Sequence, residues 1–302
     1  MSKNKTILLT GGTGFIGSAL CQQLIKQGYA VFILSCTASQ RNNTKAVHYI
    51  SSLEELNGTH IESVINLAGE PLAVKRWNAE RKAAFIKSRL DMTAQLFEYF
   101  AQQNKAPQSI ISGSAIGYYG ACKDQQLNES SPAGDGFAAD LCQQWETQAA
   151  AFEQLGTRLC IVRIGVVLGP DGGPFAEMRR SFDLKVASRL GHGQQWLSWI
   201  HLDDMVNSLL FLLQNETTQG TFNCTAPEPV TNADFTAAMQ KATGAFINIP
   251  LPAFAMRAIV GEMADEILLV GQRVIPLQLL EMGFEFKHPK IDTAIHEILA
   301  HG

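Results

Sequence analysis

The run Gly11-Gly12-Thr13-Gly14-Phe15-Ile16-Gly17 constrains the fold more than any other stretch of this chain. An apolar run, Thr6-Ile7-Leu8-Leu9-Thr10, leads into it, and a helical pattern that reaches Gln27 and stops at Gly28 leads out. The order is strand, glycine-rich turn, helix start. Such a turn lets backbone N–H groups and a helix N-terminus approach a pyrophosphate with no Cβ in the way. Gly11, Thr13, Gly14, Phe15, Ile16 and Gly17 are therefore the first candidates for contact with a dinucleotide.

The next strand, residues 29–34, is an unbroken apolar run of the kind buried in parallel sheets. In dinucleotide-binding folds a carboxylate about 20 residues past the glycines holds the ribose 2′-hydroxyl of NAD. Here that place reads Leu34-Ser35-Cys36-Thr37, and no Asp or Glu occurs before Glu54. The charges of the segment are Lys3, Lys5, Lys26, Arg41 and Lys45. Nothing there repels a 2′-phosphate and Arg41 is placed to meet one, so NADP(H) is expected in preference to NAD(H). A solvated loop position for Arg41 is the alternative.

A short strand over 47–50 precedes a buried one from Glu62 that ends in Leu67-Ala68-Gly69. Ligands bind beyond strand C-termini in open α/β sheets, so Leu67, Ala68 and Gly69 are expected to line the cofactor. A turn selected only for its geometry is the rival reading. The helical pattern over 78–103 carries Arg81, Lys82, Lys87 and Arg89, read as a solvated face. A strand over 109–112, ending at Ser112, runs into Gly113-Ser114-Ala115-Ile116-Gly117-Tyr118-Tyr119-Gly120. A helix over 137–155 and a strand over 158–164 follow, the latter bringing Arg163 and Gly165 to a strand end, where they and Ser112 are expected to bind the cofactor. This alternation predicts an α/β fold, a Rossmann-type doubly wound parallel sheet.

From Asp171 to Ser198 the pattern becomes irregular, with Arg179, Arg180, Arg189 and His192 in it. A helix capped by Asp203 or Asp204 and a strand over 220–225 resemble a return to the main sheet. The expected division is a dinucleotide-binding domain of 1–170 with 199–226, and a smaller C-terminal substrate domain of 171–198 with 227–302. The content, 46% apolar and 17% charged, suits a globular protein. A net charge of −4 offers no basic stripe for nucleic acid, and no apolar run is long enough for a bilayer. The expectation is a cytoplasmic protein without a secretory leader, whose partner is a small-molecule substrate, with a homodimer as an option. The six cysteines, 21, 36, 122, 142, 160 and 224, contain no C-x-x-C pair and are read as reduced thiols rather than metal ligands.

Gly11-x-x-Gly14-x-x-Gly17 resembles the extended short-chain dehydrogenase/reductase superfamily, which includes NAD(P)-dependent epimerases and dehydratases. Glycines alone are weak evidence. The wider set is more specific: Asn66-Leu67-Ala68-Gly69-Glu70, the run from Ser114 to Gly120, and the run from Arg163 to Gly169. The stretches Gln195 to Asp204, Ala226 to Asn232 and Gly271 to Val274 belong to it as well, as does a C-terminal segment near 253–286. Together they are similar to one atypical subgroup, the nucleotide-diphosphate-sugar-epimerase-like family, some of whose members are labelled cell division inhibitor.

The resemblance implies a Tyr general acid/base, a Lys four residues on that lowers its pKa and holds the nicotinamide ribose, and a Ser or Thr that orients the substrate oxygen. Ser114 stands in the place of that Ser. The Tyr-x-x-x-Lys pair is missing, because the helix start reads Phe137-Ala138-Ala139-Asp140-Leu141-Cys142. Tyr119 and Lys123 have the spacing but sit in a turn five residues after Ser114, which reads as chance. The catalytic candidates are thus Ser114 with Tyr118 or Tyr119 as proton partner, and packing as an aromatic lid is the alternative for a tyrosine. His201 is a further acid/base candidate, set against a structural bond at a helix start. Gln195, Trp196, Trp199 and His201 stand where related enzymes contact substrate, with core packing the rival for both tryptophans. The three arginines of the irregular region suit a phosphate or carboxylate. The implied function is an NADP(H)-binding, epimerase- or reductase-like enzyme acting on a small polar substrate, by resemblance a sugar nucleotide. The alternative is a cofactor-binding protein of reduced turnover that senses redox state or docks a partner.

Overall fold

The computed structural model describes residues 5–72, 76–103, 105–170 and 172–301; Lys3 and Asp171, named above, lie outside them. The first half of the chain forms β1 (Thr6–Thr10), α1 (Phe15–Lys26), β2 (Ala30–Leu34), β3 (Val47–Ile50) and β4 (Ser63–Asn66). It continues through α2 (Ala79–Ala101), β5 (Ser109–Ala115), β6 (Gln126–Leu127), α3 (Phe137–Ala150), β7 (Arg158–Ile164) and β8 (Val166–Leu168). The second half begins with α4 (Gly173–Asp183), β9 (Val186–Leu190), β10 (Trp196–Leu197), β11 (Trp199–His201), α5 (Leu202–Gln214) and β12 (Gly220–Cys224). Then come β13 (Val230–Thr231), α6 (Asn232–Thr243), β14 (Ile247–Leu251), α7 (Ala253–Val260), β15 (Arg273–Val274), α8 (Leu277–Glu281) and α9 (Ile291–His301).

Seven strands make one sheet in the order β12-β7-β5-β4-β1-β2-β3. Every neighbouring pair in it is parallel. Successive residues of a strand face opposite sides, so each strand must be apolar twice over. Leu9, Ile65 and Ile111 pack with Leu20, Leu24 and Leu209 on the α1–α5 side. Leu8, Val64 and Ile110 pack with Leu96, Phe100 and Phe152 on the other. Chain direction across the sheet reverses at β1, with β2 on one side and β4 on the other, which opens a crevice beyond the C-terminal strand ends.

Elements β8, α4, β9, β11, α6 and α9 gather around a second core in which Phe175, Phe182, Trp199, Phe235, Met239 and Ile298 are buried. The stretch expected to be irregular contains α4 and β9. In so short and polar a segment, Phe175 and Phe182, seven apart on one helix face, are the only strong period signal. Strands β8 and β11 pair with each other in parallel, Val166 opposite Trp199 and Leu168 opposite His201, at the two ends of this excursion. The cap of α5 also differs from expectation. His201 caps it, accepting from the Asp203 N–H at 3.0 Å, while Asp203 and Asp204 lie in the first turn, where carboxylates favour the helix dipole. No described helix is long and apolar enough to cross a membrane.

Candidate functional site

The glycine turn sits at the point where the sheet order reverses. Gly11 has φ +68°, and a Cβ on it would stand 2.5 Å from the Leu67 carbonyl oxygen, so the turn lies directly on the end of β4. A Cβ on Gly17 would overlap the Gly11 carbonyl. The Gly14 N–H donates to Gly11 O at 3.0 Å, and Gly14 then caps α1 with no side-chain oxygen on the first turn. The first N–H groups of α1 are thus left for a ligand, and Thr13 and Gly14 are exposed beside them. Phe15 faces away, its ring against Gly169, Gly172 and Gly173. An uncapped helix start in a cradle that a Cβ would fill fits a pyrophosphate, with the backbone of Gly11, Thr13, Gly14, Phe15 and Ile16 around it.

At the end of β2 the Ser35 and Thr37 hydroxyls lie 3.1 Å apart, and the Thr37 N–H donates to Ser35 Oγ. Arg41 is exposed and has no carboxylate partner among the described residues. On the other side of the turn, Thr10 Oγ1 donates to Asn66 Oδ1 at 2.6 Å and accepts from the Ala68 N–H. The Asn66 amide and the Trp145 indole both donate to Thr93 Oγ1. This buried lattice holds Leu67, Ala68 and Gly69 at the rim. Ser112 Oγ is buried below them without a partner.

Ser114, Arg163 and Asn223 are aligned across β5, β7 and β12. Ser114 Oγ donates to Glu146 Oε1 at 2.6 Å. Arg163 grips the same carboxylate with two bonds of 2.8 Å and also donates to the Tyr119 hydroxyl at 3.0 Å. That hydroxyl donates in turn to Asn223 Oδ1 at 2.7 Å. Two expectations are corrected here. Tyr119 is fully buried with its proton engaged, and burial, opposed by the Arg163 charge, raises its pKa. Arg163 is buried at 4% exposure and engaged by Glu146 rather than open to a cofactor; burial alone would lower its pKa, and the Glu146 bonds raise it on balance. Tyr118 keeps the exposed side, half-buried, with its ring 3.4 Å from Arg163 Cζ.

On α3, Ala138 stands against Gly117, and Cys142 lies beside Ser114 with its thiol pushed up by burial to about 11. No ammonium of α3 reaches this place. Glu146 was not among the sequence candidates; its only signal was the helical spacing that puts it on one face with Cys142.

The expected substrate residues divide. Gln195 is buried, its amide donating to Leu190 O at 3.0 Å and Leu268 O at 3.3 Å. Trp196 is half-buried, with its indole N–H on Asp124 and Arg273 over its ring at 4.6 Å. Trp199 has no exposed surface and donates to Glu228 O, so it is a core residue and not a sugar platform. His201 is buried at the start of α5, bonded to Glu297 at 2.8 Å, with its ring tilted against that of His288 at 3.9 Å. Burial and the neighbouring His288 lower its pKa, against the pull of Glu297 and Asp203. Both of its nitrogens have partners within the protein, Glu297 and the Asp203 N–H. Arg179 and Arg180 pair on the surface with Asp183 and Glu177. Of the four basic residues read as a solvated face of α2, Arg89 instead turns inward against Gly69 and Trp145.

Comparison with known proteins agrees with this geometry. Residues 7–225 match the model of the NAD dependent epimerase/dehydratase family, and residues 251–298 match a domain of unknown function, DUF1731. An epimerase family protein of Mycobacterium bovis is 38% identical over 295 residues, 97% of each chain. One from Staphylococcus aureus is 36% identical over 303 residues, 98% of this chain and 99% of the relative. The crystal structure of human epimerase family protein SDR39U1 (isoform 2) with NADPH superposes with a TM-score of 0.88 at 31% identity, over 98% of this chain and 100% of that one. Thermus thermophilus UDP-glucose 4-epimerase, at 19% identity and a TM-score of 0.78, shares the fold. The chain belongs to the NAD dependent epimerase/dehydratase family.

Proposed function

We propose that this protein binds NADPH across the C-terminal edge of its sheet and acts as a reductase- or epimerase-like enzyme on a small polar substrate. The observation that carries the proposal is the uncapped start of α1 inside a cradle that excludes any Cβ. The carboxylate-free end of β2, with exposed Arg41 beside it, supports the 2′-phosphorylated form of the cofactor. So does the NADPH carried by the human relative at 31% identity. When bound, the nicotinamide supplies or accepts hydride.

The chain's own residues position and protonate. Because the Ser114 hydroxyl hydrogen is given to Glu146, the oxygen is left only to accept, so it orients a substrate hydroxyl that donates to it. Glu146 is kept in place by Arg163, so Ser114 has one stable orientation. Tyr118, half-buried with its ring on the Arg163 guanidinium that grips Glu146, is the proton partner in this reading. Ala138 and Cys142, where the family's Tyr and Lys are expected, favour a second reading. In it the protein binds NADPH, turns over little, and reports the redox state of the pool.

Titrating the protein with NADPH and following cofactor fluorescence tests the premise; no binding at about 1 mM, the upper end of ordinary cofactor and substrate affinities, sinks both readings. A panel of carbonyl compounds and sugar nucleotides separates them, since turnover of any member supports the enzyme and failure of all supports the sensor.

A further inference from the structure

Arg81, Lys82 and Lys87 each meet a carboxylate, at 2.6 Å from Glu70, 2.5 Å from Glu262 and 2.8 Å from Asp91. Arg89, the fourth basic residue of α2, has none among the described residues. Its guanidinium donates to the carbonyls of Phe85 and Glu70, each at 3.2 Å. It lies over the Trp145 ring at 5.3 Å, and a Cβ on Gly69 would stand 2.9 Å from its Cζ. A guanidinium carries five N–H donors in a rigid fork, so donors remain for a ligand. Burial lowers the Arg89 pKa, against the pull of Cys142 and Glu70, which marks an incompletely compensated cation.

The fork's location says which ligand group it meets. Gly69 ends the turn after β4, and the Trp145 ring packs under Gly113 of β5. Arg89 therefore reaches from α2 to the rim shared by β4 and β5. The turn after β1 divides the crevice, with Arg41 and the end of β2 on one side and Ser114 on the other. A dinucleotide with its 2′-phosphate at Arg41 lays its nicotinamide half over β4 and β5. Cys142 of α3 offers no cation to that half.

We infer that Arg89 is a cofactor-binding residue, its fork entering from α2 to hold the nicotinamide-side ribose in place of the ammonium that α3 lacks. The inference rests on the proposed NADPH binding and adds the residue that grips that half. Dissociation constants of NADPH and of adenosine 2′,5′-bisphosphate, which has the adenine end but no nicotinamide riboside, are compared for the unaltered protein, Arg89→Met and Arg89→Lys. Arg89→Met is expected to weaken NADPH by about tenfold or more, the scale of one charge-assisted hydrogen bond, with Arg89→Lys recovering part of the loss. The bisphosphate is expected to stay within about twofold. NADPH binding unchanged in Arg89→Met, or both ligands weakened alike, overturns the inference while the proposed function stands. Failure of the unaltered protein to bind NADPH overturns both. If Arg89→Met does not fold, phenylglyoxal modification of Arg89 in the unaltered protein, mapped by mass spectrometry, gives the answer. NADPH is expected to slow it and the bisphosphate is not; equal protection by both, or by neither, overturns the inference.

Discussion

Arg163 and Glu146 face each other through two parallel hydrogen bonds of 2.8 Å, with only 5% and 11% of their side-chain surfaces exposed. Removing one member leaves the other charge buried without its partner, which costs about 3–5 kcal/mol. Arg163→Met is therefore expected to lower the urea midpoint sharply. Arg163→Met with Glu146→Met is expected to be more stable than Arg163→Met alone, because no lone charge remains. A double variant no more stable than the single one would show that the pair is not what holds this region.

The two adjacent tyrosines are expected to separate stability from turnover. Tyr119→Phe leaves Asn223 Oδ1 and one Arg163 donor without a partner and is expected to cost about 1–3 kcal/mol in urea unfolding. Tyr118→Phe is expected to stay within about 0.5 kcal/mol of the parent. On a substrate that is turned over, kcat is expected to fall by about a hundredfold or more in Tyr118→Phe, the usual weight of a positioned acid or base. A Tyr118→Phe variant with full kcat removes that residue as proton partner.

Arg41→Ala tests the 2′-phosphate contact. NADPH affinity is expected to drop by about tenfold and NADH affinity to change by less than about twofold, as calorimetry at low salt would measure. The gap between the two cofactors should narrow as salt rises, because Arg41 is exposed and screened. Equal affinity for NADH and NADPH in the parent protein contradicts the charge argument outright.

His201 gives the pH dependence its sign. Burial and His288 hold its folded pKa below the ordinary value of 6.5. The unfolded chain therefore takes up the proton first as pH falls. Stability from neutral His201 is complete above 6.5, declines as pH drops through the window between that value and the lower folded one, and levels off beneath it. Urea midpoints measured from pH 7.5 to 5 should follow this course. His201→Asn, which keeps a capping oxygen without a titrating ring, should flatten it.

Much of the frame is legible in the residues themselves. Glycines 11, 14 and 17 follow an apolar run, and the apolar strands Ile7–Leu9, Val31–Ile33 and Ile110–Ile111 need cover on both faces. That is local information. The fate of the two tyrosines is not local. Tyr119 is buried because Asn223, 104 positions away, and Arg163, 44 away, converge on its hydroxyl. The inward turn of Arg89 depends on Trp145 and on the missing side chain at Gly69, neither of which helical periodicity can report. Trp199 and His201 share one strand with a polar, aromatic texture that suits a binding surface, and only the packing of α6 and α9 shows that it lies inside.

The pairing of β8 with β11 has a mechanical side. The excursion through α4 and β9 leaves the sheet on one of these strands and comes back on the other, so its two roots are stitched along a single seam. Its far side is tied down as well, by the parallel ladder of β9 with β14 and by Phe175 and Phe182 in the second core, so the excursion is fixed along both edges. Phe15 wedges against Gly169 and Gly173 at the near edge of this excursion, one residue from the uncapped start of α1. The ring beside the glycine turn therefore rests on a fixed abutment, which holds the start of α1 in one place whether or not the crevice is filled.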